Sequence, residues 1–270
     1  MQIAFTKMNG AGNDFIAIDN RNGNVQLSPE QIAHLCNRHA GIGADGLFLA
    51  RTATSGKAPW AWDFFNSDGS DAEMCGNGAR CFATFLRSIA DVGSTFDFET
   101  VAGVIRASFD GELVTVGLTR PEGLALGDTL DIDGRSIKVH SLNTGVPHAV
   151  VFVPDADEAM VQDWGKGIRF HPHFAPKGTN VNFAQILDTP NAIRVRTYER
   201  GVEGETLACG TGVTASAIIA SKVHGLSSPV AVTVQSGDKL EVSFDPEEDS
   251  FGQVQLKGPG VAVYTGSIAI

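Results

Sequence analysis

Phe64-Phe65-Asn66-Ser67-Asp68-Gly69-Ser70-Asp71-Ala72-Glu73-Met74-Cys75-Gly76-Asn77-Gly78-Ala79-Arg80-Cys81 is the stretch from which the fold can be read. It has an echo about half a chain later, in Tyr198-Glu199-Arg200-Gly201-Val202-Glu203-Gly204-Glu205-Thr206-Leu207-Ala208-Cys209-Gly210-Thr211-Gly212. With Cys75 set on Cys209, Phe64 meets Tyr198, Asn66 meets Arg200, Gly76 meets Gly210 and Gly78 meets Gly212. Both copies run from an aromatic, strand-like segment through a polar loop into Cys-Gly-x-Gly. An apolar, helix-like segment follows each time. Self-similarity on this scale marks a duplicated unit. Two copies predict two pseudo-symmetric halves, not a solenoid.

The segments after the cysteines decide what the sulfurs face. After Cys75, apolar residues recur at Ala79, Phe82, Ala83, Leu86, Ile89 and Ala90, the spacing of one helix face. After Cys209, Val213, Ala215, Ala217, Ile218, Ile219, Ala220 and Val223 make a segment apolar nearly all round, as in a fully buried helix. His224-Gly225 supplies its stop. Each cysteine therefore begins a helix, where open N–H groups and the helix dipole favour an anion. A thiol so placed can ionise well below its ordinary ~8.5. The glycines leave the amides of Gly76, Asn77, Gly210 and Thr211 approachable by a ligand carboxylate. One such motif would be weak, because cysteine is often a small buried hydrophobe. Two copies in one context favour chemistry.

Outward from these motifs the chain reads as strands with few helices. Ile3–Phe5 and Phe15–Asp19 read as strands around the turn-rich 9–13 segment. Ser28-Pro29-Glu30 opens a helix whose inner face carries Ile32, Leu35 and Cys36, so Cys36 reads as structural. Gly41-Ile42-Gly43 leads to the strand Leu47–Leu49, and Lys177-Gly178-Thr179-Asn180 leads in the same way to Val181–Phe183. Phe96–Thr100 and Val104–Phe109 alternate as a hairpin. Leu113–Leu118, Ile137–Ser141, Ala149–Val153, Ile193–Tyr198, Ala231–Gln235, Leu240–Phe244 and Gln253–Leu256 read as further strands. Crossings between halves are expected at Arg120–Gly123 and Lys257–Gly260, with Val261–Tyr264 returning to the first half. The reading is α+β, with one domain of residues 1–118 plus 261–270 carrying Cys75 and another of 119–260 carrying Cys209.

Bulk properties narrow the function. The chain has 270 residues, 43% of them apolar and 19% charged, with a formal net charge of −11. That balance fits a soluble globular protein and argues against general nucleic-acid binding. No apolar run approaches the ~20 residues of a membrane helix, and no leader is expected. Four cysteines are too few for a disulfide scaffold, so a cytoplasmic location is expected. No Cys-x-x-Cys spacing occurs, and His171-Pro172-His173 is the one tight histidine pair, so no metal site is expected. No phosphate loop or cofactor motif is found either.

The chain resembles the diaminopimelate epimerases. The resemblance is carried by Lys7-Met8-Asn9-Gly10-Ala11-Gly12-Asn13-Asp14-Phe15, by Asn37-Arg38-His39-Ala40-Gly41-Ile42-Gly43-Ala44-Asp45-Gly46, by both cysteine motifs and by Tyr198-Glu199-Arg200-Gly201. It runs almost to the C-terminus. It implies a cofactor-independent isomerase of lysine and cell-wall precursor biosynthesis that interconverts LL- and meso-diaminopimelate. It also implies two barrel-like domains, each wrapped on a buried helix and facing across a cleft, in a homodimer. One thiolate would take the α-proton while the opposite thiol returns one, with the substrate carboxylate on the helix-start amides. Positions matching Asn13, Asn66, Asn180, Glu199 and Arg200 bind substrate in the family, and Arg200 suits a planar carboxylate. His148 reads either as a core histidine or as an assistant to the cysteines. Cys81 reads as structural.

Departures touch the substrate contacts. Val146 stands where many members have Asn, and Gly46 where many have a glutamine. The Gly201–Glu205 segment is one residue longer than the commonest spacing. Competing readings are a proline-racemase-like enzyme, which also needs two cysteines but no distal charged head, and a phenazine-type isomerase, which needs no cysteine pair. A non-catalytic redox or metal-binding protein is disfavoured by the absence of metal spacing.

Overall fold

The computed structural model describes residues 2–72, 74–246 and 251–270; Glu73 of the opening stretch lies outside them. The chain forms two compact units, Met1–Gly117 with Gly258–Ile270, and Leu118–Lys257.

In the first unit the strands β1 (Gln2–Gly10), β2 (Asn13–Asp19), β3 (Gly46–Thr52), β4 (Trp60–Asn66), β5 (Thr95–Thr100), β6 (Gly103–Asp110) and β7 (Leu113–Gly117) pair in chain order. Successive pairs run antiparallel, parallel, antiparallel, parallel, antiparallel, antiparallel. A parallel pair needs a crossover, and α1 (Pro29–Cys36) and α2 (Gly76–Ile89) lie in the two that occur here. Ser28 and Gln31 close a reciprocal capping box on α1, with Pro29 in its first turn. Helix α2 packs on β1, β2 and β3 and also on β7, so the strands wrap round it. Its inner face seats Phe82 among Phe48, Trp62 and Phe98, with ring centroids 4.8–5.4 Å away. Truncating Phe82 to alanine would cost roughly 3–5 kcal/mol.

The second unit repeats the plan with β8 (Glu122–Ile132), β9 (Arg135–Asn143), β10 (Pro147–Phe152), α3 (Val161–Arg169), β11 (Asn180–Ile186), β12 (Ala192–Glu199), β13 (Gly204–Thr206), α4 (Gly210–His224), β14 (Val230–Thr233), β15 (Lys239–Ser243) and β16 (Gln255–Pro259). From β9 the pairs β9–β10, β10–β11, β11–β12, β12–β14, β14–β15 and β15–β16 show the same sequence of directions as the first unit. The match extends one strand outward. β8 pairs antiparallel with β9, and β17 (Val261–Ala269) pairs antiparallel with β1. Helix α4 touches β9, β10, β11, β12, β14 and β15 and buries Val213, Ile218 and Ile219 completely. Gly225 ends it in the left-handed conformation, φ 74°.

Several expectations change. Arg120–Gly123 is not a plain crossing, because Glu122 already begins β8, a strand the sequence reading omits. Its outward side is unusually apolar, with Leu124 and Leu126 exposed, so no clean alternation marks it. Lys257–Pro259 belongs to β16, and the returning strand β17 runs on to Ala269. Helix α3 is also unforeseen. Gly165 and Gly167 look like breakers, but a Cβ at Gly165 would lie 2.6 Å from Tyr198 Cβ, and one at Gly167 would lie 2.6 Å from Ile132 Cγ2. The glycines let α3 approach the sheet. Asn13, Asn66 and Asn180 stand at strand ends, not in free loops.

Candidate active site

Cys75 is the N-cap of α2, with extended backbone (φ −140°, ψ 115°), and is half-buried. Its sulfur accepts the Gly78 N–H at 3.3 Å. The first turn is braced from behind. Asn77 is fully buried; its Nδ2 donates to Asn13 Oδ1 at 2.7 Å, and its Oδ1 accepts from Arg80 Nη2 at 2.9 Å. The buried Arg80 guanidinium also donates to the carbonyls of Pro259, Gly76 and Gly10. Asn13 Nδ2 donates in turn to Asp45 Oδ2 at 3.0 Å. Arg38 bridges Asp45 and Asp14, and Lys7 pairs with Asp14 at 2.7 Å and with the Gly43 carbonyl. Burial alone would raise the Asp14 carboxyl. The hydrogen bonds and charges of Arg38 and Lys7 outweigh it and hold the group at about 2. Asn66 spends its amide on its own loop, donating to Ser70 Oγ at 3.0 Å.

Cys209 is the buried N-cap of α4, again in extended conformation (φ −126°, ψ 106°). Thr211 Oγ1 lies 3.5 Å from its sulfur and 2.9 Å from His148 Nε2. The other ring nitrogen, Nδ1, lies 3.2 Å from Asn182 Nδ2. Asn182 is fully buried, donates to the Ala149 carbonyl at 3.0 Å and accepts from Thr197 Oγ1 at 2.9 Å. Burial, helped by the Arg200 charge, pushes His148 down to about 3, so its ring is neutral at ordinary pH. Asn180 Nδ2 donates to the Pro147 carbonyl at 3.1 Å, and its Oδ1 accepts the Arg200 N–H at 2.8 Å. Glu199 accepts from Thr206 Oγ1 at 2.8 Å. Gly76 and Gly210 are buried, and Thr211 half-buried.

The units therefore use one device twice. The residue two after each cysteine reaches back to the start of a core strand: Asn77 to Asn13 on β2, and Thr211 to His148 on β10. Sequence reasoning named all four of these residues but not their partners. Asp45, Arg80, Asn182 and Thr197 were missed as members of the site. A polar Asn182 inside the apolar run Val181–Phe183 was the one visible signal, since a buried amide needs partners.

Known proteins show both the family and the fold. The family model described as diaminopimelate epimerase matches residues 5–122 and 140–264. The chain belongs to the diaminopimelate epimerase family. A diaminopimelate epimerase of Aquifex aeolicus (strain VF5) is 44% identical over 277 residues, covering 98% of this chain and 97% of the relative. One from Archaeoglobus fulgidus is 40% identical and covers 91% of each chain. Solved structures of lower identity show the same fold. A phenazine biosynthesis protein of the PhzF family from Bacillus anthracis has a TM-score of 0.77 at 14% identity, with both chains covered in full. A probable proline racemase from Agrobacterium radiobacter K84 has a TM-score of 0.75 at 18% identity, covering 99% of this chain and 93% of that one.

Gly46 is packed too closely to carry a side chain. A Cβ there would stand 2.7 Å from the Phe65 carbonyl oxygen and 3.0 Å from Phe64 Cε2. Val146 is half-buried, and its carbonyl accepts the Thr144 N–H at 3.2 Å. The Gly201–Glu205 segment turns through Gly201 (φ 95°) and Glu203 (φ 56°), and Arg169 holds the Glu203 carboxylate at 3.0 Å. Among the described residues no cluster of His, Cys, Asp or Glu is arranged to hold a metal ion. No helix among them is long and apolar enough to cross a membrane.

Proposed function

We propose that this protein interconverts LL- and meso-2,6-diaminopimelate without a cofactor, using Cys75 and Cys209 as the acid–base pair at the α-carbon. The observation that carries the reading is the repeated helix start, with an N-cap cysteine in each unit and a buried polar brace behind it. Membership of the diaminopimelate epimerase family supports it independently. At a helix N-terminus a thiolate is favoured over its ordinary state. One thiolate removes the α-proton and the other cysteine, as thiol, delivers one, which inverts the centre. The amides of Gly76, Asn77, Gly210 and Thr211 bind the carboxylate and take up charge as the α-carbon loses its proton. We assign Asn13, Asn66, Asn180, Glu199 and Arg200 to binding the substrate, and His148 to assisting at Cys209.

On this reading residues 1–118 with 261–270, and residues 119–260, each supply one cysteine. A homodimer is the proposed assembly, supported by the exposed apolar side chains Val261, Val263 and Tyr264 on β17. A reducing cytoplasm suits a paired-thiol mechanism.

The test is incubation with LL-diaminopimelate in D₂O without added cofactor. The proposal expects meso product with deuterium at the α-carbon. Unchanged isomer composition and no α-deuteration would overturn it.

A further inference from the structure

We propose that Asn182 is a positioning residue that fixes the tautomer of His148 and so aims the Thr211 hydroxyl at the Cys209 sulfur. This rests on the reading of Cys209 as a catalytic thiol and adds the polarity of the chain behind it.

The assignment follows from donors and acceptors. The Ala149 carbonyl can only accept, and it lies 3.0 Å from one end of the Asn182 amide. That end must be the NH₂ group. The opposite end is then the oxygen, which accepts from Thr197 at 2.9 Å. The amide nitrogen has two hydrogens. One goes to Ala149, and the second points at His148 Nδ1, 3.2 Å away. A ring nitrogen facing a donor must carry a lone pair. A neutral imidazole has one N–H, so it sits on Nε2 and donates to Thr211 Oγ1 at 2.9 Å. The Thr211 oxygen is thereby an acceptor, and its single hydrogen is left for the sulfur 3.5 Å away. A donor on the sulfur favours its thiolate form.

The opposite tautomer would fail twice. It would set an Nδ1–H against the Asn182 N–H. It would also take the Thr211 hydrogen for Nε2 and turn oxygen lone pairs towards the sulfur. The sequence guards the contact: a Cβ at Gly212 would collide with Asn182 Oδ1 and stand 3.2 Å from His148 Cε1. The register agrees, since Asn182 lies directly opposite Thr197 in the β11–β12 pair.

The test uses the full-length protein labelled with ¹⁵N-histidine. Two-bond ¹H–¹⁵N spectra of wild type are expected to show His148 as the Nε2–H tautomer. Asn182→Leu, made with Thr197→Val so that no hydroxyl loses its acceptor, is expected to give a mixture of tautomers. It should also lower kcat/KM by roughly 2- to 10-fold, the weight of a hydrogen bond between neutral groups. Thr211→Val is expected to keep the wild-type tautomer yet move the ionisation limb of kcat/KM to higher pH by about one unit. Thr211→Ser should keep that limb in place. A wild-type His148 protonated on Nδ1 would overturn the proposal. So would a folded Asn182→Leu/Thr197→Val protein that stays wholly Nε2–H. If the double variant does not fold, the wild-type spectrum and the two Thr211 variants still decide. The tautomer is read without turnover, so an inactive wild type would count against the epimerase reading and leave this one measurable.

Discussion

The Thr211 hydroxyl lies 2.9 Å from His148 Nε2, and the same oxygen lies 3.5 Å from the Cys209 sulfur. A threonine at the start of α4 thus connects a strand-borne imidazole to the proposed catalytic thiol. The first unit has the corresponding contact between Asn77 and Asn13, at 2.7 Å. An amide pair, itself tied to Asp45 and Arg80, there replaces the imidazole and hydroxyl.

The glycine after Thr211 should therefore resist even alanine. On helix propensity alone, Gly212→Ala ought to stabilise α4 by up to about 1 kcal/mol. Its Cβ would instead meet Asn182 and His148. The expected outcome is a variant with lower Tm and a loss of turnover. Thermal melts and epimerisation rates on the same preparation check this; a more stable, fully active variant would refute it.

Replacing either cysteine should stop the reaction while leaving the fold. Cys75→Ala and Cys209→Ala remove one acid–base group each, worth roughly 100- to 10,000-fold. Both should give circular dichroism spectra like wild type, because neither change opens a large cavity. Near-normal turnover in either folded variant would exclude the two-thiol mechanism.

Substrate choice should depend on the distal head. Diaminopimelate has a second carboxylate that lysine lacks, and Arg200 is the proposed partner for it. A polar site left with unpaired groups rejects the shorter-headed ligand strongly. Wild type is expected to prefer diaminopimelate over lysine, and Arg200→Met to lose much of that preference through weaker diaminopimelate turnover. Measuring kcat/KM for both substrates in both proteins decides. Equal wild-type values would sink the assignment.

His148 should make the protein acid-sensitive. Its folded value of about 3 lies below the ordinary 6.5, because burial and Arg200 disfavour the charged ring. Below 6.5 the unfolded chain takes up a proton that the folded ring refuses. The contribution to stability is therefore full above pH 6.5 and is lost as pH falls towards 3. Between pH 7 and pH 5 the loss is about 2 kcal/mol for one such group. Urea unfolding of wild type and His148→Gln at both pH values checks it. The wild type should lose more by that amount, since the depressed Asp14 carboxyl acts alike in both proteins.

Much of this architecture was legible without coordinates. The Cys75 and Cys209 motifs gave the two helix starts, because a glycine-rich turn followed by apolar periodicity is a local signal. The apolar surround of α4 announced a buried helix, and the repeat announced its counterpart in α2. Family motifs named Asn13, Asn180 and Arg200. The omissions have a common cause. Strand β8 and helix α3 lack local marks: one exposes leucines, and the other carries glycines that serve contact with Tyr198 and Ile132.

Sequence by itself determined the duplication and the two cysteines that begin α2 and α4, since both rest on residue type and short-range spacing. Only the tertiary structure decided which side chains brace them. Asn182 reaches His148 because β10 and β11 pair in parallel, and it meets Thr197 because β11 and β12 pair antiparallel in one register. Strands joined by a long crossover have their register set by the packing of whole faces, and a slip of one residue would turn every side chain to the other side. The hydrogen-bond polarity behind Cys209 depends on that register, so no reading of local pattern contains it.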